Sequence, residues 1–296
     1  MPAEVVAMPQ QDMGQRAVVR RPAVAGTFYP ADPADLIGAL DACFHHPLGP
    51  GASPNPDAKT PLAVVSPHAG ILYSGPFAAH AYAALGAPRV AVVLGPNHFG
   101  GGAALALSSA SAWRTPLGEV PLDAVTTELL RGACPSLAVD DRAHEREHSL
   151  ELQVVFLQRA LGADFAIVPI SIGTHDLETL DLLGRGLASA AAERGALLVA
   201  STDLSHYLPE SPTRARDRML LSRIEALDLP GVVHLVATGE SAACGIAGVI
   251  AVMTAARELD ASEARLLAYG TSGDTGGPRD AVVGYGALRI ERPVAS

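Results

Sequence analysis

From Leu62 onward, short apolar runs alternate with longer amphipathic segments, and this alternation restricts the fold more than any other feature of the chain. The expected strands are 62–66, 90–95, 103–108, 165–171, 196–201, 265–271 and 281–288. The expected helices are 75–85, 122–132, 149–161, 176–194, 213–227, 230–238 and 243–257. Such a pattern predicts an α/β fold with a mostly parallel or mixed central sheet and helices on both faces. The last two strands are free to run antiparallel at an edge. Upstream, Asp32-Pro33 reads as a helix start, with Asp as cap and Pro in the first turn, and this helix runs to about His45. The Pro- and Gly-rich stretch from Leu48 to Thr60 reads as a surface loop. Residues 1–19 are polar and aperiodic and are expected to be flexible. Residues 20–30 read as an ordered segment docked on the domain. With no internal repeat or low-complexity linker, 20–296 is read as one domain.

Three histidines sit where an expected strand gives way to a loop. They are His68 in Ser-Pro-His-Ala-Gly, His98 in Gly-Pro-Asn-His-Phe-Gly and His206 in Ser-Thr-Asp-Leu-Ser-His-Tyr. In an open α/β sheet, ligands gather at the carboxyl ends of strands. Three such placements predict one shared pocket able to hold a metal, against the plainer reading of three structural histidines.

Other residues sort around these. Asp203 and His206 lie three apart, so the carboxylate either orients the imidazole or caps the turn. Cys244-Gly245 opens an apolar helix. A thiol there is favoured as thiolate by the helix dipole, which suits a ligand or nucleophile; the alternative is an inert buried cysteine. Glu147, His148 and Glu151 start a helix and either line a pocket from one face or form a solvated helix end. Asn97 and Tyr207, beside His98 and His206, are candidate pocket-wall residues together with His148 and Glu151.

Composition excludes several classes. The formal charge of −10 argues against a nucleic-acid binder. The single lysine, Lys59, lies in a Pro-rich loop, which argues against Schiff-base or phosphate-loop chemistry. The loop around His98 is Gly-rich but lacks Gly-x-x-x-x-Gly-Lys, so no nucleotide cofactor is expected. Three cysteines without a Cys-x-x-Cys pair give no disulfide framework and read as reduced thiols in a cytoplasmic protein. No membrane span or signal peptide is expected.

Taken in order, the segments 21–30, Ser66-Pro67-His68-Ala69-Gly70, Gly95-Pro96-Asn97-His98, Glu147-His148-Ser149-Leu150-Glu151, Ser201-Thr202-Asp203-Leu204-Ser205-His206-Tyr207, Cys244-Gly245 and Tyr269-Gly270-Thr271-Ser272-Gly273-Asp274 resemble the Memo family. Its bacterial and archaeal members are called AmmeMemoRadiSam system protein B. The family is similar in fold to the catalytic subunit of class III extradiol dioxygenases, which hold non-haem iron(II) with two His and one Glu. The resemblance implies that His68 and His98 ligate a metal, that Cys244 stands in place of the Glu, and that His206 is the acid/base group with Asp203 beside it. A thiolate is a softer ligand than a carboxylate and favours Cu(I) or Zn, so dioxygenase activity does not follow from the fold. The implied cofactor is a metal ion: iron(II) or copper, with zinc as a third candidate. The implied functions are a metal-dependent redox or oxygenase-like enzyme; a module binding a small molecule or a peptide, as eukaryotic members are thought to bind phosphorylated receptor peptides; or an accessory to a radical-SAM system. The chain lacks the cluster cysteines of the radical enzyme itself.

Overall fold

The structure is a computed structural model, described here for residues 18–292. The expected flexible stretch lies outside those residues up to position 17, but Val19 and Arg20 form a short strand, β1 (Val19–Arg20). There follow α1 (Pro33–His45), β2 (Ala63–Ser66), α2 (Ile71–Tyr82), β3 (Val90–Pro96), β4 (Leu105–Leu107), β5 (Ala112–Thr115), β6 (Gly118–Pro121) and α3 (Ala124–Ala133). Next come β7 (Ala138–Val139), α4 (Ser149–Leu161), β8 (Ala166–Ile172), α5 (Leu177–Arg194), β9 (Leu197–Ser201) and β10 (His206–Leu208). The chain closes with α6 (Glu210–Glu225), α7 (Leu229–Ala237), α8 (Ile246–Glu258), β11 (Ala264–Thr271) and β12 (Val282–Ile290).

The main sheet is mixed, as the alternation predicts. Four parallel neighbours, β2-β9-β3-β8, form its centre. β12 runs antiparallel to β2 and carries β11 and β10, also antiparallel; at the other end β4 runs antiparallel to β8. Both faces are buried. Val64, Ala91, Val93, Ile167, Leu197 and Val199 pack with α1, α2 and α4, while Val65, Val92, Leu94, Val168, Leu198 and Ala200 pack with α3 and α5 to α8. The strands therefore alternate face by face although each reads as a continuous apolar run.

Local chemistry sets several boundaries. Asp32 caps α1 by accepting from Ala34 and Asp35 N–H, with Pro33 in the first turn. Asp176 caps α5. α2 starts four residues before its expected position, because Ile71 N–H donates to Phe28 O at 2.9 Å, a tertiary contact that the local pattern does not carry. The hairpin β5–β6, which joins β1 in a separate three-stranded sheet, escaped the sequence reading; its strands are four residues long and interrupted by exposed Arg114 and Glu119.

Candidate metal centre

Because β2, β9 and β3 are adjacent and parallel, their carboxyl ends deliver Ser66-Pro67-His68, Ser201-Thr202-Asp203 and Pro96-Asn97-His98 to one edge of the sheet. The rings of His68 and His98 stand 5.2 Å apart, centroid to centroid. Each is fixed from behind. Nδ1 of His98 faces Glu147 Oε1 at 2.9 Å, and the carboxylate also accepts the backbone N–H groups of His98, His148 and Ser149. A carboxylate only accepts, so Nδ1 of His98 carries its proton and Nε2 keeps its lone pair. Nδ1 of His68 faces Ser201 Oγ at 2.8 Å. Ser201 gives its one proton to Ser149 O and accepts from Gln153 Nε2, itself held by Tyr82. His68 must therefore donate from Nδ1 as well, leaving Nε2 as an acceptor toward the cavity.

A third imidazole completes the group that could hold a metal. One ring nitrogen each of His68, His98 and His148 lie within 4.8 Å of one another, whereas Cys244 does not join that group. His148, the residue capping α4, stacks on His98 at 4.7 Å and 12° and meets His68 edge-on at 5.6 Å. Cys244 abuts His68 alone, with Sγ 3.2 Å from Nε2, and accepts Asp203 N–H at 3.3 Å. Gly245 permits this close approach: a Cβ there would lie 2.0 Å from Ser201 O. Burial, then the charge of Asp203, push the Cys244 thiol well above its usual range. Of the two sequence readings of this thiol, burial therefore favours the protonated one.

The electrostatics suit metal binding. Burial, reinforced by the neighbouring imidazoles, pushes His68 well below the usual range, and burial lowers His148 too, so these rings stay neutral and able to donate lone pairs. Burial alone would raise Glu147, but hydrogen bonds from the His98 ring and the backbone hold it down at about 2. Ligand bonds of about 2.0–2.3 Å give ligand-to-ligand spacings comparable to those found here, so the donor set fits a metal.

The remaining expected site residues divide. His206, Tyr207, Asp203 and Cys244 line a cavity of about 740 Å³ together with His68, His98 and His148. Asp203 is buried, and burial raises its carboxyl above the usual range. Its Oδ1 accepts the backbone N–H of His68 at 2.8 Å, and no hydrogen bond to the His206 ring is made. It braces the His68 loop rather than holding His206. Glu151 does not line this cavity: fully buried, it accepts from Arg20, Ala23 N, Val24 N and Tyr29 and ties down the leading segment. Asn97 also lies outside the lining, because its side chain turns to Gly101 O at 2.6 Å. The sequence reading missed Ser201, Gln153 and the orienting role of Glu147; a polar residue ending an apolar strand was the one available signal for Ser201.

Fold and donor set define an α/β protein with a histidine group at the strand ends that could hold a metal ion. A family model described as Memo-like protein matches residues 20–289. A MEMO1 family protein of Methanopyrus kandleri is 43% identical over 280 residues, covering 92% of this chain and 99% of its own. A MEMO1 family protein of Aeropyrum pernix is 42% identical over 280 residues, with coverage of 92% and 99%. The chain belongs to the Memo family. An uncharacterized protein of Escherichia coli K12 shares the fold, with a TM-score of 0.53 at 17% identity, covering 78% of this chain and 100% of that one. Among the described residues, no helix is long and apolar enough to cross a membrane.

Proposed function

We propose that the protein is a metal-dependent redox enzyme acting on a small molecule bound beside the histidine group. The carrying observation is the fixed tautomer of two facing imidazoles, each with Nδ1–H committed to a buried acceptor. That arrangement is the usual device for aiming Nε2 lone pairs at a metal. Neutral imidazoles with a thiol at hand suit copper, iron(II) or zinc. Such a metal supplies Lewis acidity and, for copper or iron, an electron. His68, His98 and His148 would hold it, and Cys244 would serve as a further ligand on losing its proton to solvent. His206, at the cavity wall, is the group to move a proton to or from a bound molecule. Capture of a phosphorylated peptide is the weaker reading, because no Lys or Arg lines the cavity and phosphate recognition rests on such groups.

The test is anaerobic purification followed by metal analysis of wild type and single Ala variants. His68→Ala, His98→Ala and His148→Ala should lose most bound metal, Cys244→Ala should lose part, and His206→Ala should retain it. Undiminished metal in the folded His68 and His98 variants would sink the reading. Loss in Cys244→Ala as complete as in His68→Ala, with His148→Ala unaffected, would restore the thiol as third ligand.

A further inference from the structure

A second cavity, of about 550 Å³, lies beside the histidine cavity. Its walls include Ala39, Ala42 and Cys43 of α1 and Ile71, Leu72 and Pro76 of α2. Thr27 and Phe28 belong to the linings of both cavities. The partition is thus a single turn of backbone, closed by Phe28 N–H to Val24 O at 2.9 Å and pinned to α2 by Ile71 N–H to Phe28 O at 2.9 Å. On its far side the Phe28 ring packs on His148 at 4.7 Å. One loop also borders both cavities: Ser272, Gly277 and Pro278 line the histidine side and Thr275 the apolar side, where its hydroxyl donates to Tyr73 O at 3.1 Å.

The chemistry of the two cavities is complementary. One presents nitrogen and sulfur donors; the other is mostly alkyl and aromatic, with His46 at its wall and an un-ionised thiol, burial having pushed Cys43 up to about 12. Neither is lined by Lys or Arg, so the only cationic centre either offers is a metal at the histidine group. Large apolar side chains stand exposed where the linings meet solvent: Leu72 at 73%, Tyr73 at 41% and Tyr207 at 77%. Exposed apolar groups clustered around a cavity mark a surface that a ligand covers. The pocket is built by close helix approach, since a Cβ at Gly75 would sit 2.4 Å from Cys43 Sγ.

We propose that the two cavities form one bipartite site for an amphiphile of small-molecule size, its metal-binding polar head at the histidine group and its hydrocarbon tail laid over Thr27 into the pocket between α1 and α2. This inference rests on the metal reading for the head. It adds a substrate class that the donors alone do not specify.

The probes are 1-methyl-, 1-butyl-, 1-hexyl- and 1-octylimidazole, which share one neutral metal-binding head. They are titrated calorimetrically into the full chain loaded with zinc. Affinity should rise by about three- to fourfold per methylene once the tail reaches the apolar pocket. Ala42→Trp and Ala39→Phe, in the α1 wall of the apolar pocket and away from the histidine group, should flatten the series and leave 1-methylimidazole unchanged. A flat series in the wild type, or an unchanged slope in both folded variants, overturns the bipartite site. Zinc-independent binding of the long members alone also overturns it, since head and tail would not then act together. If 1-methylimidazole shows no zinc-dependent binding, the metal reading fails and this inference with it; if it binds and lengthening adds nothing, only the bipartite site fails.

Discussion

Glu147 grips His98 twice, accepting the ring Nδ1 proton at 2.9 Å through Oε1 and the backbone N–H at 2.8 Å through Oε2. Ring and backbone of one candidate ligand are thus set by one buried carboxylate. Glu147→Gln should keep the fold and weaken zinc binding by about 10–100-fold. Competition against a chromophoric chelator measures this; an unchanged affinity would remove His98 from the donor set or Glu147 from its support.

The same residue gives a pH dependence. Glu147 is held at about 2 in the folded protein, below its unfolded range, so the unfolded chain binds this proton more readily. Its stabilisation is fully present above the unfolded value of about 4.3 and is lost as pH falls through about 2. Acid unfolding of the metal-free wild type should therefore steepen over that window, and Glu147→Gln should show a shallower slope there. Identical slopes would contradict the assignment.

Ser201→Ala removes the acceptor for His68 Nδ1 and the bridge between Gln153 and Ser149. The orphaned groups are buried, so stability should fall by about 1–3 kcal/mol. Metal affinity should fall with it. Chemical denaturation of the metal-free protein, with a separate zinc titration, distinguishes the two effects. A stable variant with full affinity would show that Ser201 neither supports nor orients His68.

Arg20→Ala breaks a buried pair with Glu151 and a stacking contact of 4.2 Å on Trp113. The loss should be about 3 kcal/mol, near the low end for an interrupted buried pair, because Ala23, Val24 and Tyr29 still donate to the carboxylate. Limited proteolysis should then cut the segment before Pro30 faster than in wild type. Equal cleavage rates would mean that the segment is anchored elsewhere.

Gly245→Ala would place a methyl group 2.0 Å from Ser201 O. The start of α8 must shift, carrying Cys244 away from His68. We expect about 1–3 kcal/mol of destabilisation and a metal affinity no better than that of Cys244→Ala. A variant as stable as wild type would show that the loop before α8 yields freely.

Much of this was legible beforehand because the information is local. Apolar runs of strand length, separated by amphipathic segments, give the mixed sheet, and a histidine just past a parallel strand falls at its carboxyl edge wherever that strand packs. His68 and His98 were readable for that reason. What was not readable depends on contacts far apart in sequence. Asp203 is three residues from His206 but braces the His68 loop, which lies 135 residues away. Glu151 shares a helix with the site, yet turns to a segment 122–131 residues earlier. The Cys244 thiol shows the same limit: its place before a helix predicts a low pKa, whereas burial and a neighbouring carboxylate reverse the sign.

The pairing of β12 with β2 sets the order in which the molecule can be made. Residues 282–290 lie beside 63–66, so this edge of β2 stays unpaired until more than 200 further residues have been made. Pairings of such long sequence separation are slow to form, and an open apolar strand edge is prone to stick to other chains meanwhile. Because β2 leads directly into His68, the binding pocket shares this delay. A metal held by this group would then be acquired late, because the strand that positions His68 is not paired before β12 exists.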